Sequence, residues 1–325
     1  VKAIRYCQYG PPGVLKLEDA GVPAVGDQDV LVRVTAASVN PLDWHFMRGT
    51  PYLVRLAGGL RRPANSSLGV DLAGRVEAAG RHVTVFSPGD EVFGAVPGRG
   101  SLAEYVVLPQ DGALLPRPAR LSAEQAAAAP VAGLTALQAL RDKGHLQPGQ
   151  KVLVNGASGG VGTFTVQIAA ALGAEVTGVC STGNTELAAS LGAGEVIDYT
   201  RQDFTRTGRR CDLLVDIAGS RSFSACRRVL APRGTLVGAG GPDNGRWLGP
   251  ATRPARAFAL SPFVSQTLTF FIARMRREDL AVLAALLDEG KVTPVIDRAY
   301  PLSAAAEAVR YLEEGHARGK VVITV

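Results

Sequence analysis

Residues 152–182, VLVNGASGGVGTFTVQIAAALGAEVTGVCST, limit what this chain can fold into more than any other stretch. An apolar run gives way to a glycine-dense turn, then to a helical pattern, then to a second apolar run. The first strand ends at Asn155, and the turn reads Gly156, Ala157, Ser158, Gly159, Gly160, Val161, Gly162. Glycine permits positive φ in a tight turn and lets the backbone come close to an anion. A helix over 161–172 then directs free N–H groups and the positive end of its dipole at that anion. Gly162 lets helix and strand pack closely. The glycine spacing is not GxGxxG, so the motif takes its meaning from its place between a buried strand and a helix, with a second strand on time. That place predicts a dinucleotide site; a purely structural glycine turn is the alternative.

The surroundings keep the same rhythm. Strands are expected in 151–155, 175–181, 194–200, 212–219 and 234–241, alternating with helices over 161–172, 186–191 and 222–230. Such alternation predicts βαβ crossovers and an α/β fold with a doubly wound parallel sheet. TLTFFIAR (267–274) reads as a further strand, REDLAVLAALLDEGKV (277–292) as an amphipathic helix with Gly290 just past its end, and GKVVITV (319–325) as a last strand. Residues 242–261 form a long irregular loop.

The first third reads differently. VLVRVTAASV (30–39) alternates as a half-buried strand should, and DLAGRVEAAG (71–80) and AEYVVLP (103–109) follow suit, with Gly and Pro between them. The segment 122–144 then reads as one helix, N-capped by Ser122 with Glu124 in its first turn.

Composition excludes several classes of function. The 325 residues are 46% hydrophobic and 20% charged, which supports a packed core. No apolar run approaches the roughly 18 residues of a membrane span, and the first residues show no secretory leader pattern. The formal charge of +6 is spread over arginines in twos and threes, without a nucleic-acid-binding motif. Cys7, Cys180, Cys211 and Cys226 stand apart, with no CxxC pair or zinc-ligand spacing. Scattered thiols suit a cytoplasmic protein.

The second strand of the dinucleotide unit ends in Cys180, Ser181 and Thr182, where an acid would bond the ribose 2′-hydroxyl and repel a 2′-phosphate. Absence of that acid and presence of hydroxyl donors favour NADPH over NADH. No Arg or Lys stands at Gly183 to grip the phosphate.

Together SVNPLDWHFMRG (38–49), GVDLAGRVEAAG (69–80), FSPGDEVFG (86–94), AGLTALQAL (132–140), NGASGGVG (155–162), SLGAGEVIDYT (190–200), FFIAR (270–274) followed by REDL, and the terminal GKVVITV resemble the medium-chain dehydrogenase/reductase superfamily. The resemblance is to its zinc-free quinone oxidoreductase (zeta-crystallin-like) branch and covers essentially the whole chain. It implies a GroES-like, partly open β-barrel catalytic domain over 1–117 and 273–325, a Rossmann domain over 118–272, and an active-site cleft at their junction. The zinc alcohol dehydrogenases of the superfamily carry a metal-binding His-Glu pair where Val70 and Asp71 stand, a cysteine ligand where Ser38, Val39 and Asn40 stand, and a four-cysteine lobe that is missing here. His45, His82, His145 and His316 supply no replacement set, so no metal is expected.

Without a metal to polarise a carbonyl, the chemistry the resemblance implies is hydride transfer from NADPH to a quinone or another electron-poor conjugated carbonyl. By the same resemblance Asn40 sits beside nicotinamide ribose and acceptor, Asp43 fixes its loop, and His45 either protonates an enolate or is a partly exposed histidine. Asn40 as a simple turn residue before Pro41 is the alternative. Cofactor contacts are expected from the glycine turn, from Thr135, from Cys180, Ser181 and Thr182, from Tyr199 at the 2′-phosphate end, and from Ala218, Gly219, Gly238, Ala239 and Phe270. Lys320 either reaches the cofactor or is a surface lysine. Segment 51–67, with Arg61 and Arg62, is expected to line the acceptor pocket. Relatives are usually homodimers that join sheets edge to edge, which by analogy makes 267–274 the expected interface strand. Two other functions stay open: an enone or enoyl reductase of a biosynthetic pathway, and a non-enzymatic NADPH-binding protein associated with RNA or membrane.

Overall fold

The computed structural model describes residues 1–98, 100–239 and 264–325, with 252, 255 and 257 in addition. The loop expected over 242–261 lies, apart from those three positions, outside the described residues. The chain divides into two compact units. One holds Val1–Leu134, Met275–Gly290 and Pro294–Val325; the other holds Thr135–Arg274 and Lys291–Thr293.

In the first unit β1 (Lys2–Arg5) and β2 (Lys16–Asp19) form an antiparallel pair. A seven-stranded sheet comprises β3 (Asp29–Val39), β4 (Asp71–Ala79), β5 (Glu91–Ala95), β6 (Tyr105–Pro109), β7 (Leu114–Pro116), β14 (Ile296–Pro301) and β15 (Lys320–Thr324). Its order is β14-β15-β3-β4-β5-β7, with β6 also on β3. The long β3 is the hub, antiparallel to β4, β6 and β15. Half-burial was the expectation for β3, yet Ala36, Ala37, Ser38 and Val39 are all buried. Alternation fails there because helix α3 (Ala123–Ala127) packs on β3, β4 and β15.

The single helix expected over 122–144 is three pieces: α3, α4 (Pro130–Gln138) and a π turn over Ala139–Lys143. Ser122 does cap α3, accepting from the Gln125 N–H while the Gln125 side chain accepts from the Ser122 N–H. Pro130 lacks the N–H that a continuous helix needs and instead opens α4. Because α3 belongs to the sheet of the first unit, that unit continues past 117 to Leu134. Helices α1 (Pro41–Arg48) and α2 (Val54–Gly58) lie between β3 and β4.

The second unit is a six-stranded parallel sheet in the order β10-β9-β8-β11-β12-β13. Its strands are β8 (Lys151–Asn155), β9 (Glu175–Cys180), β10 (Glu195–Asp198), β11 (Cys211–Asp216), β12 (Leu230–Gly238) and β13 (Thr267–Phe270). Helices α5 (Gly160–Ala171), α6 (Thr185–Ser190) and α7 (Phe223–Arg227) connect them. Helix α7 ends before the expected 230, since Leu230 already pairs with Cys211 as the start of β12. Chain order reverses at β8, which has β9 on one side and β11 on the other. In such sheets a ligand binds at the carboxyl ends of the strands flanking that reversal.

Two more helices return to the first unit, α8 (Arg277–Asp288) and α9 (Ala305–Glu313). Gly290 stands just past the end of α8, as expected, and adopts the left-handed φ of 70° common there. The short return 291–293 stays with the second unit: the Gln167 amide donates to the Thr293 carbonyl at 3.0 Å and accepts its N–H at 2.8 Å. No helix among the described residues is long and apolar enough to cross a membrane.

Candidate functional site

The glycine turn stands at the reversal point of the parallel sheet. Gly156 adopts φ 97°, and its N–H and that of Ala157 both donate to the Val179 carbonyl of β9. Helix α5 starts at Gly160, so the N–H groups of Gly160, Val161 and Gly162 have no acceptor inside the helix. Ser158 and Gly159 precede them. A Cβ on Gly162 would lie 1.9 Å from the Gly156 carbonyl oxygen, so only glycine fits. A Cβ on Gly159 would meet nothing nearer than 3.7 Å, which leaves open space over the turn. Free donors, a helix N-terminus and open space fit a pyrophosphate.

The neighbouring strand ends complete this edge. The buried Asn155 side chain donates to Asp216 Oδ1 at 2.7 Å, and the same oxygen accepts the Gly219 N–H at 2.9 Å. The Ala218 N–H donates to the Asn155 carbonyl, and the Ala239 N–H to the Asp216 carbonyl. Ala218, Gly219, Gly238 and Ala239 therefore share one edge with the turn. Phe270 ends β13 and covers Gly238, meeting Phe223 edge-on with ring centroids 5.7 Å apart. Its visible contacts are packing contacts. Thr135 is half-buried on α4.

At the end of β9 the Cys180 thiol is buried, and burial raises its pKa. Cys180 thus offers its backbone, which accepts the Tyr199 N–H at 3.0 Å. Half of the Tyr199 side chain is exposed. Ser181 Oγ accepts from Asn184 Nδ2 at 3.0 Å, which leaves its own hydrogen to donate. Sequence reasoning missed Asp198. It pairs with Cys180 across β9 and β10, so an acid does stand at this edge, one strand over. Thr182 Oγ1 lies 2.6 Å from Asp198 Oδ2, Thr200 Oγ1 lies 2.7 Å from Oδ1, and Arg201 Nε lies 3.5 Å from Oδ2. The bond from Thr182, then those from Thr200, hold this carboxylate below its ordinary pKa. Thr182, expected to donate to the cofactor, is turned to Asp198.

In the first unit a second constellation forms where β3, β4 and β15 converge. Ser38 and Asn40 are two residues apart along an extended chain and so project to one face. Ser38 sits opposite Asp71 on β4, and Val321 opposite Val39 on β15, which brings Lys320 alongside Asn40. All four side chains are buried. Asp71 Oδ2 accepts from Ser38 Oγ at 2.7 Å, Asn40 Nδ2 at 2.9 Å and Lys320 Nζ at 3.3 Å, and Oδ1 accepts the Val131 N–H at 2.8 Å. Lys320 Nζ also lies 2.5 Å from Asn40 Oδ1 and 3.4 Å from the Val39 carbonyl. Of the two alternatives left open for Lys320, the surface lysine is ruled out: it is 3% exposed.

Asp43, third residue of α1, accepts the Asn40 N–H at 2.7 Å and the Gly69 N–H at 3.2 Å, tying the helix start to the approach of β4. Burial pushes its pKa up to about 7; the bond from Asn40 opposes the rise, and the charge on Asp71 adds to it. His45 Nδ1 lies 2.8 Å from the Thr50 carbonyl oxygen. A carbonyl only accepts, so Nδ1 carries the hydrogen, and neutral His45 presents a lone pair at Nε2. As an enolate's proton donor it must first become imidazolium. In segment 51–67, Arg61 and Arg62 are exposed.

The donor set around Asp71 does not suit zinc. It offers a hydroxyl, an amide and a carboxylate that already accepts four bonds, with an ammonium among them, and Val70 is apolar. Zinc sites favour thiolate and imidazole. Among the described residues no group of three His, Cys, Asp or Glu is placed to hold a metal.

Two family models match: "Alcohol dehydrogenase GroES-like domain" over residues 26–119 and "Zinc-binding dehydrogenase" over 191–323. The chloroplast envelope quinone oxidoreductase homolog of Arabidopsis thaliana is 34% identical over 99% of this chain and 97% of its own length. The chain belongs to the medium-chain dehydrogenase/reductase superfamily. Within it, the solved quinone oxidoreductase of Coxiella burnetii superposes with a TM-score of 0.87 at 32% identity, covering 100% of this chain and 99% of that one. Escherichia coli quinone oxidoreductase, solved in complex with NADPH, superposes with a TM-score of 0.85 at 25% identity over 100% of both chains. This medium-chain dehydrogenase/reductase thus groups with oxidoreductases, its parallel sheet being the Rossmann part and its mixed sheet the GroES-like part.

Proposed function

We propose that this chain is a zinc-independent, NADPH-dependent reductase of quinones or similar electron-poor conjugated carbonyls. The observation that carries the reading is the buried Ser38, Asn40, Asp71 and Lys320 cluster. It fills the ligand-bearing part of a zinc dehydrogenase with groups that satisfy one another, leaving one Asn40 N–H to offer. Without Lewis-acid help, hydride transfer is confined to acceptors that are already electron-poor.

When bound, NADPH supplies the hydride. The turn 156–162 would hold its pyrophosphate by backbone N–H groups, and the strand ends at Ala218, Gly219, Gly238 and Ala239 would flank it. Thr135 and Phe270 remain proposed cofactor contacts. Asn40 is the proposed donor to the oxygen on which negative charge builds. Asp43 holds the start of α1 in place. The preference for NADPH rests on the Ser181 hydroxyl and on the absence of an acid at the end of β9. Asp198, one strand over, has its oxygens engaged by Thr182, Thr200 and Arg201 and so is poorly placed to accept a ribose hydroxyl, while its charge opposes a 2′-phosphate.

A homodimer through β13 is part of the same proposal. That strand ends the sheet order, and Ile272 just beyond it is 90% exposed. Cys7, Cys180, Cys211 and Cys226 form no disulfide, and the last three are buried, which suits a cytoplasmic setting. The test is NADPH oxidation in the presence of quinones and of conjugated enones, with a chelator present. Quinone turnover supports the proposal, enone turnover alone moves it to the biosynthetic reductase, and cofactor binding without turnover leaves the binding protein.

A further inference from the structure

An asparagine amide has two ends of nearly the same shape and opposite hydrogen-bonding character. In a buried site the chain must decide which end points where, because a reversed amide loses its bonds and gains repulsions. At Asn40 the neighbours leave no choice. Lys320 Nζ, 2.5 Å from Oδ1, can only donate. Asp71 Oδ2, 2.9 Å from Nδ2, accepts, and does so from Ser38 as well. Turning the amide over would set its N–H groups against an ammonium and its carbonyl against a carboxylate. Asp71 is itself held by the Val131 N–H, and Lys320 by the Val39 carbonyl, so neither partner is free to follow such a turn.

We infer that Lys320 is a positioning residue, which together with Asp71 locks the Asn40 amide so that Asn40 meets the hydride acceptor only as a hydrogen-bond donor. Oδ1 is spent on Lys320 and one Nδ2 hydrogen on Asp71; the second Nδ2 hydrogen has a fixed direction. A donor fixed beforehand stabilises developing negative charge without reorganising during the reaction. Lys320 acts through Asn40 and contacts neither cofactor nor acceptor. The lock joins residues 280 positions apart in sequence, which explains why a lysine next to the last strand is buried at all.

The inference rests on the reductase reading, and wild-type turnover tests that reading first. Lys320→Met, Asn40→Ala and the double variant are then compared by single-turnover hydride transfer from NADPH and by the Kd for NADPH. The expected result is a loss of about tenfold to a hundredfold in the transfer rate for Lys320→Met, with Kd for NADPH unchanged. In the Asn40→Ala background, Lys320→Met should cost nothing more, because residues acting as one unit are not additive. Multiplicative losses in the double variant would overturn the inference, as would a raised Kd for NADPH with the transfer rate intact, which means direct cofactor contact. Lys320→Met leaves the Asp71 carboxylate buried without its cation, so Lys320→Met combined with Asp71→Asn keeps the charge balance if the single variant does not fold. The same cycle with Asn40→Ala then decides.

Discussion

Gly162 and Gly156 touch across the nucleotide turn: a Cβ on Gly162 would lie 1.9 Å from the Gly156 carbonyl oxygen and 2.8 Å from its carbon. Gly159 has the opposite surroundings, with open space and a φ of −81° that any residue tolerates.

The two glycines therefore separate folding from binding. Gly162→Ala forces backbone against backbone, and overpacking of that kind costs about 1–3 kcal/mol or more. It should lower the unfolding midpoint in urea. Gly159→Ala should leave that midpoint nearly unchanged and weaken NADPH by roughly tenfold, its methyl taking the space meant for the pyrophosphate. Equal loss of stability in both variants would contradict this division.

Asp43 makes the first unit sensitive to pH in an uncommon direction. Its carboxyl titrates at about 7 in the folded chain against an ordinary 3.8, with burial as the main cause. Between those values the folded state holds a proton that the unfolded state has lost, so this group's contribution to stability falls as pH rises from about 4 to about 7. Asp43→Asn removes the titration. Measured by urea unfolding, the wild type should lose stability relative to Asp43→Asn between pH 5 and 8, and a constant difference would contradict the assignment.

Much of the second unit could be read from sequence because its signals are local. Glycine turn, helix and following strand are contiguous over 152–182, and each element was expected within a residue or two of where it stands. The Ser122 cap was equally legible, since capping acts over one turn. What escaped was long-range. Asp198 supplies the acid missing from β9, but only strand pairing brings it beside Cys180. Lys320 read as a cofactor contact or, by default, a surface lysine, because its partners at 40 and 71 lie far off in sequence. The break at Pro130 was visible in sequence and was passed over, the alanines around it carrying a strong helical pattern.

Asp198 gives a third prediction. Asp198→Asn removes a negative charge from the ribose end and keeps one of its two acceptor oxygens. The ratio of kcat/KM for NADPH to that for NADH should rise a few-fold at low ionic strength. Salt should shrink the gain, since Asp198 lies beside the exposed Tyr199 and Thr200, where ions screen it. No change in the ratio would place the 2′-phosphate away from Asp198.

The sheet edge gives a fourth. Ile272→Lys sets a charge on the most exposed large apolar side chain beside β13. If β13 pairs with its counterpart in a second copy, light scattering should show the wild type at twice the chain mass and the variant shifted toward a single chain. An unchanged mass would remove β13 from the interface.

In the proposed reaction hydride leaves NADPH for an electron-poor acceptor without metal assistance. The most direct measurement follows NADPH oxidation by the wild-type chain in the presence of a strong chelator, across quinones and conjugated enones, with Asn40→Ala alongside. Turnover that survives the chelator and falls by about a hundredfold in Asn40→Ala is the predicted result. NADPH that binds but reduces nothing, or turnover abolished by the chelator, would contradict it.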